Sequence, residues 1–222
     1  MEVKTIAHIY NDFPTKFGLP RQSGLAQALT GRIVFEPEYR NADAVRGLED
    51  YSHIWLIWQF SEAVRDTWSP TVRPPRLGGN KRMGVFATRS PFRPNPFGLS
   101  CVKLERVEQT QQGPVLHVLG ADLMNGTPIY DIKPYLPFAD SVPGAVGGFA
   151  DGVKDYGLDV VIRKEAVDNF DAQKLEALKD ILSQDPRPSY QNDPDRVYGF
   201  EFAGKEIRFK VADGVLTVIE II

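Results

Sequence analysis

The chain has 222 residues, 42% of them hydrophobic and 25% charged, with a formal net charge of −3. This is the composition of a globular protein of one or two domains with ample chain for a core, and it excludes a globally basic nucleic-acid binder: any such contact must come from a local patch. The single cysteine, Cys101, excludes an intramolecular disulfide and fits a reducing compartment, as a buried structural thiol.

In chain order, Val3 to Tyr10 mixes β-branched and polar residues and reads as a strand. It contains no basic segment leading into an apolar one, so no signal peptide is expected and the cytoplasm is the expected location. Asn11 to Gln22 carries Pro14, Gly18 and Pro20 and reads as a loop that ends by presenting Arg21 and Gln22. Gly31 to Phe35 is a strand, and Asn41 is placed to cap a short helix through Arg46, stopped at Gly47. Ser52 to Phe60 is continuously aromatic and aliphatic, as expected of a strand covered on both faces. Its apolar run is far too short to cross a bilayer. Ser61 to Lys81 is a long loop with Pro70, Pro74, Pro75 and Gly78-Gly79, and loops of that length in a compact domain are usually functional or mobile.

Residues 84 to 100 are the most informative. Val85, Phe86 and Ala87 read as a short buried strand. Pro91, Pro94 and Pro96 then fix φ, remove donors and push their predecessors toward extended geometry. Arg89, Arg93 and Asn95 therefore stand on a stiff, basic loop suited to an anionic or polar ligand. The bland alternative is a proline-stiffened connection with solvated arginines.

Leu99 to Val107, Val115 to Leu119 and Ile129 to Tyr135 read as further strands, with turn chemistry at Asp122 to Pro128. Many short strands with one short helix predict a closed or nearly closed β-barrel over residues 1–140. The stretch 141–157 reads as a linker rich in Gly, Ala, Pro and Asp. Ala166 to Ser183 carries Phe170, Leu175, Leu178, Ile181 and Leu182 at helical spacing, so one amphipathic helix is expected. Val197 to Phe202, Ile207 to Val211 and Leu216 to Ile222 read as strands of a small α+β domain over 158–222. The fold class is mainly β, a single-sheeted barrel followed by that second domain.

His8, His53 and His117 each stand alone in strand patterns, so no metal site is expected. No Gly-x-Ser-x-Gly elbow and no dinucleotide-binding glycine fingerprint occur. Between Arg73 and Arg106 stand eight basic residues and one acidic one, Glu105. Phosphate contact is the usual physical use of such a stretch, a solvated loop face its alternative. Asp131, Lys133 and Tyr135 alternate, so a strand aims an acid, a base and a phenol to one side, as a site wall or as a salt-bridged surface strand.

Pro20-Arg-Gln22, the Gly84 to Ser100 stretch, Asp122-Leu-x-x-Gly-Thr-Pro128, Asp131-Ile-Lys-Pro-Tyr135 and Asp185-Pro-Arg-Pro-x-Tyr190 together resemble the TsaA-like, TrmO-type family in its bacterial form with a C-terminal domain. The resemblance implies a β-barrel methyltransferase acting as a dimer. Its cofactor would be S-adenosylmethionine, and its acceptor the exocyclic nitrogen of threonylcarbamoyladenosine beside the anticodon of threonine tRNA. It implies a cofactor site lined by Pro20, Arg21, Gln22, Ser61, Glu62, Arg89, Leu99, Asp122, Leu123, Met124 and Asn125. The family pattern carries histidine where this chain has Ser61. Asp131 or Tyr135 is expected to help remove the acceptor's proton. Arg93 or Lys133 would pair with the threonine carboxylate, with Asn95 facing the base. Arg73, Arg76, Arg187 and Tyr190 are expected to grip the anticodon arm. A binding module without turnover, and a methyltransferase of a small molecule or protein, are the alternatives.

Overall fold

A computed structural model describes residues 2–77, 80–153, 156–163, 167, 170–187, 191 and 193–222. Alternation of apolar and polar residues builds its first domain. The strands are β1 (Ala7–Asn11), β2 (Thr30–Phe35), β3 (His53–Gln59), the short pair β4 (Thr71–Val72) and β5 (Met83–Gly84), then β6 (Phe97–Thr110), β7 (Gly113–Leu119) and β8 (Pro128–Pro134). In the order β1-β2-β7-β6-β3-β8 they close a barrel, with every pairing antiparallel. Inward-facing Ile9, Ile33, Ile54, Leu56, Leu116 and Ile129 are wholly buried, each contributing about 1.5–3 kcal/mol of burial.

Three local expectations are corrected. β3 is buried on one face only: Ile54, Leu56 and Trp58 fill the barrel while Trp55 and Ile57 stay half-exposed outside. Val85–Ala87 forms a 3-10 turn, with Val85 buried and Phe86 72% exposed. Cys101 lies on the outer face of β6, half-buried rather than in the core. Asn41 does cap, accepting a hydrogen bond from Asp43 N at 2.9 Å, but over a 3-10 turn, Ala42–Val45.

After β8 come a single-turn helix α1 (Pro137–Asp140), at the end of the expected barrel, and a 3-10 turn at Gly148–Val153, within the expected linker. The second domain holds β9 (Asp159–Ile162), α2 (Ala172–Ser183), β10 (Tyr198–Phe202), β11 (Lys205–Ala212) and β12 (Val215–Ile221). Its sheet runs β10-β11-β12-β9, with β9 parallel to β12. Asp171 caps α2, accepting from Lys174 N at 3.0 Å. Ala177, Leu178, Ile181 and Leu182 are its buried residues.

The β1–β2 connection belongs to both domains. Phe13, Ala26 and Leu29 join the core of the second domain, beside Leu178, Phe200 and Phe202. Gly18, at φ +91°, lets the chain pass so close to Phe200 that a Cβ there would lie 2.6 Å from its ring. Lys174 pairs with Asp12 at 3.0 Å, and Ala203 N donates to Asp12 O at 3.1 Å.

Candidate active site

One end of the barrel gathers several chemistry-bearing side chains. The 3-10 turn at Val85–Ala87 passes into a run of hydroxyl-stabilised turns. Thr88 Oγ1 donates to Val85 O at 2.9 Å and accepts from Ser90 N at 3.2 Å; Ser90 Oγ accepts from Phe92 N at 3.2 Å. These local bonds suit a proline-rich segment short of backbone donors. They aim Arg89 across the chain, where its Nη1 donates to Gln22 Oε1.

Below this pair lies a buried polar chain that enters the barrel. Trp58 Nε1 donates to Ser100 Oγ at 2.9 Å, and Ser100 Oγ donates to Asp122 Oδ1 at 2.5 Å. Ser100 is wholly buried and Trp58 is 5% exposed. Since the serine accepts from the indole and has one proton to give, Asp122 Oδ1 is fixed as an acceptor. Burial pushes the Asp122 carboxyl above its usual range. The Ser100 hydrogen bond, the Arg89 charge and the Ser23 backbone N–H pull the other way.

The turn after β7 is bolted to β1. Asn11 Nδ2 donates to Leu123 O at 2.6 Å, and Asn11 N donates to Asn125 Oδ1 at 3.0 Å. Asn125 N donates to Phe13 O at 2.8 Å, and Gly126 supplies the positive φ, +79°. Leu123 points into the core and Met124 is half-buried. Ser61 and Glu62 form a 3-10 turn reached by Lys16, whose Nζ donates to Glu62 O at 2.9 Å. Pro20 is buried.

Arg21 reaches the second domain. Its Nη2 donates to the carbonyls of Asp185 and Arg187, at 3.3 and 3.2 Å, so it ties the Pro20–Gln22 loop to the second domain. Arg187 is 8% exposed and bridges Asp185, with Nε–Oδ1 at 2.8 Å and Nη2–Oδ2 at 3.0 Å. Burial opposes ionisation of Asp185, but hydrogen bonds from Arg187 and Tyr156 outweigh it and hold the carboxyl below the usual range. Arg187, expected to grip RNA, has its guanidinium buried against Asp185. Tyr190 and the Arg76 side chain lie outside the described residues.

The remaining predicted residues sit on the outer wall. Asp131 and Lys133 form an ion pair at 3.1 Å. Asp131 pairs across to Ile57, and Ile57 to Leu99, which is 58% exposed. Tyr135 packs against Trp55, with centroids 5.8 Å apart. Arg93 folds back, its Nη1 donating to Thr88 O at 3.2 Å, while Asn95 and Arg73 are exposed. Thus Gln22, Arg89 and Asp122 converge at one end, and Leu99, Asp131, Lys133 and Tyr135 form a lateral row. Ser100 was missed from sequence. Its signal was a hydroxyl at an inward position of an alternating strand.

The same regions carry the likeness to known proteins. The family model of the tRNA-methyltransferase O N-terminal domain matches residues 8–141, and that of the TrmO C-terminal domain matches 156–222. A tRNA (adenine(37)-N6)-methyltransferase of Escherichia coli K12 is 40% identical over 220 residues, covering 96% of this chain and 94% of the relative. A Pseudomonas aeruginosa protein, named as a candidate S-adenosylmethionine-dependent methyltransferase, is 42% identical over 207 residues, covering 89% and 87%. The crystal structure of TrmO from Pseudomonas aeruginosa superposes with a TM-score of 0.79 at 32% identity, covering 100% of this chain and 98% of that one. In both of its domains, and in the barrel that carries the Arg89–Gln22–Asp122 cluster, this chain belongs to the TrmO family of tRNA methyltransferases.

Proposed function

We propose that this protein is a cytoplasmic, S-adenosylmethionine-dependent methyltransferase acting on the exocyclic N6 of the adenine beside the tRNA anticodon, with threonylcarbamoyladenosine of threonine tRNA as acceptor. The observation that carries the reading is the likeness to tRNA (adenine(37)-N6)-methyltransferases along nearly the whole chain.

The residues present fit the cofactor. S-adenosylmethionine supplies a methyl group already activated on a sulfonium. Asp122 offers a carboxylate to a cationic ligand, and Ser100 holds that oxygen in acceptor mode. Arg89 offers a guanidinium to the methionyl carboxylate, and Gln22 fixes its position. The backbone of Leu123 to Asn125, immobilised by Asn11, supplies amides and carbonyls for the adenine edge. Pro20, Ser61 and Glu62 complete the proposed lining by their likeness to the family motifs.

Placement then does much of the work. Holding the acceptor nitrogen about 3 Å from the methyl carbon removes much of the entropic barrier. The N6 lone pair is shared with the purine and a carbonyl, so the proton needs an acceptor. Asp131 takes that role, its carboxylate held by Lys133 and open to solvent; Tyr135 stands next to it. Arg93 retains free donors beyond its Thr88 bond and pairs with the threonine carboxylate, with Asn95 beside it. An unmodified adenine leaves that cation unpaired, which is the basis of selection. Arg73 and Arg76 supply phosphate contacts.

The proposed state is a homodimer. Phe97 and Leu99 are 43% and 58% exposed on the outer wall, next to half-exposed Trp55 and Ile57, and no layer among the described residues covers them. Leu99→Glu should give a monomer in sedimentation; an unchanged dimer contradicts this placement.

The test of acceptor choice uses labelled S-adenosylmethionine with threonine tRNA purified with and without the threonylcarbamoyl group. Label is expected in the modified tRNA alone. Equal labelling of both would contradict carboxylate recognition, and Arg93→Ala should abolish the difference while leaving cofactor affinity intact.

A further inference from the structure

Trp68 and Phe86 stand in contact in solvent. They are 52% and 72% exposed, with ring centroids 6.1 Å apart and ring planes inclined at 31°. They come from two segments that the fold deliberately joins. Trp68 precedes β4, and Phe86 sits on the turn that follows β5. The register Thr71↔Gly84 and Val72↔Met83 pairs those strands, and Val85 N donates to Pro70 O at 2.9 Å. Val85 is buried, which pins the turn from which Phe86 projects. A third ring, Phe92, is 41% exposed, with the Arg65 guanidinium 3.7 Å over its centroid.

Clustered exposed aromatics mark a surface that something covers. Charge identifies the occupant. Between residues 63 and 99 stand Arg65, Arg73, Arg76, Lys81, Arg82, Arg89 and Arg93, with Asp66 the single acid. A second copy of this chain, docked symmetrically, would set that basic surface against itself at a like-charge cost. A polyanion with flat, unpaired apolar faces satisfies both the charge and the rings, and single-stranded RNA has that chemistry. The position agrees. Phe86 lies three residues before Arg89, whose guanidinium reaches Gln22 at the candidate site.

We propose that Trp68 and Phe86 form a stacking platform for unpaired bases of the RNA loop that flank the base being modified, with the surrounding arginines on the phosphates. This rests on the reading of the protein as an RNA methyltransferase. The platform reads base faces and not sequence, so it distinguishes a loop from a duplex.

The test measures dissociation constants of the full-length protein for an anticodon stem-loop RNA with unpaired loop bases, and for a fully paired RNA duplex of matched charge, over a range of salt. Trp68→Ala and Phe86→Ala should each weaken stem-loop binding about tenfold, a loss expected for one stacked base. Duplex binding, cofactor affinity and the salt slope should stay unchanged, and Trp68→Phe should restore most of the affinity. Arg82→Ala, by contrast, should lower the salt slope by about 1 on both RNAs. Unchanged stem-loop affinity in both alanine variants would overturn the platform alone. So would equal losses on stem-loop and duplex, or losses that follow conversion of a dimer to a monomer. Failure of the wild-type protein to bind either RNA would overturn the underlying reading as well.

Discussion

At Ser100 each proton has a fixed destination. The Trp58 N–H fills the hydroxyl's acceptor site, and the hydroxyl's own proton goes to Asp122. Ser100→Ala removes a hydrogen bond to a charged group and lets burial raise the Asp122 carboxyl further. Cofactor affinity near neutral pH should fall about tenfold, and the acid limb of its pH profile should move to higher pH. Calorimetric titration across pH checks both; an unshifted limb contradicts the assignment. Asp122→Asn carries a second expectation. A carboxyl whose folded pKa is raised stabilises the fold most when protonated, and that contribution is lost as the pH rises through the folded pKa. Asp122→Asn should therefore raise Tm above that pKa, with the gain vanishing in acid, while cofactor binding is lost. Gln22, Arg89 and Asp122 stand on distinctive motifs, and the fold brings them together. Ser100 was not legible from the sequence, because its partner Trp58 is 42 residues away. The contacts of Arg21 with the carbonyls of Asp185 and Arg187 were not legible either, since no local pattern shows a bond across more than 160 residues.

The strand pair β3–β6 shows how an element positions those side chains. Trp58 pairs across to Gly98, and its indole lies flat over that glycine. A Cβ at Gly98 would fall 2.1 Å from the indole. Gly98→Ala should displace the ring, break the Trp58–Ser100 bond and cost about 1–3 kcal/mol in urea unfolding. A stability within a few tenths of the wild type contradicts this. Long alternating strands announced themselves, and the barrel with them. The misreadings fell where pattern is short or distant. Val85 to Ala87 is three residues long, too short to separate a strand from a turn. β9 is four residues whose partner, β12, lies over fifty residues on, and a parallel edge strand of that kind has no hairpin turn to mark it. The double-sided burial expected of β3 failed because its outer row carries Trp55 and Ile57, apolar residues that the described residues leave half-exposed.

Across the whole molecule, the two domains meet at the β1–β2 connection, so the loop expected to hold cofactor is set by the second domain. Phe13 packs in that domain's core, and Arg21 holds the carbonyls of Asp185 and Arg187. Arg187→Met would leave Asp185 buried without its main partner and should destabilise the second domain by about 3–5 kcal/mol. The sign with pH follows from the depressed Asp185 carboxyl. Its stabilisation is present above the unfolded carboxyl's range and is lost as pH falls through the folded pKa. The variant should thus lose acid sensitivity as well as stability, which thermal melts between acid and neutral pH will read. The sharing of the β1–β2 loop was not visible in the sequence, because it depends on contacts between residues such as Asp12 and Lys174, far apart in the chain. The central claim is a reaction at one atom of one nucleotide. Incubating the purified protein with isotopically labelled S-adenosylmethionine and threonine tRNA, then digesting to nucleosides for mass spectrometry, locates the methyl group directly. One label per tRNA is expected, on N6 of the threonylcarbamoyladenosine beside the anticodon; label at another nucleotide, or none with active cofactor binding, would contradict that assignment.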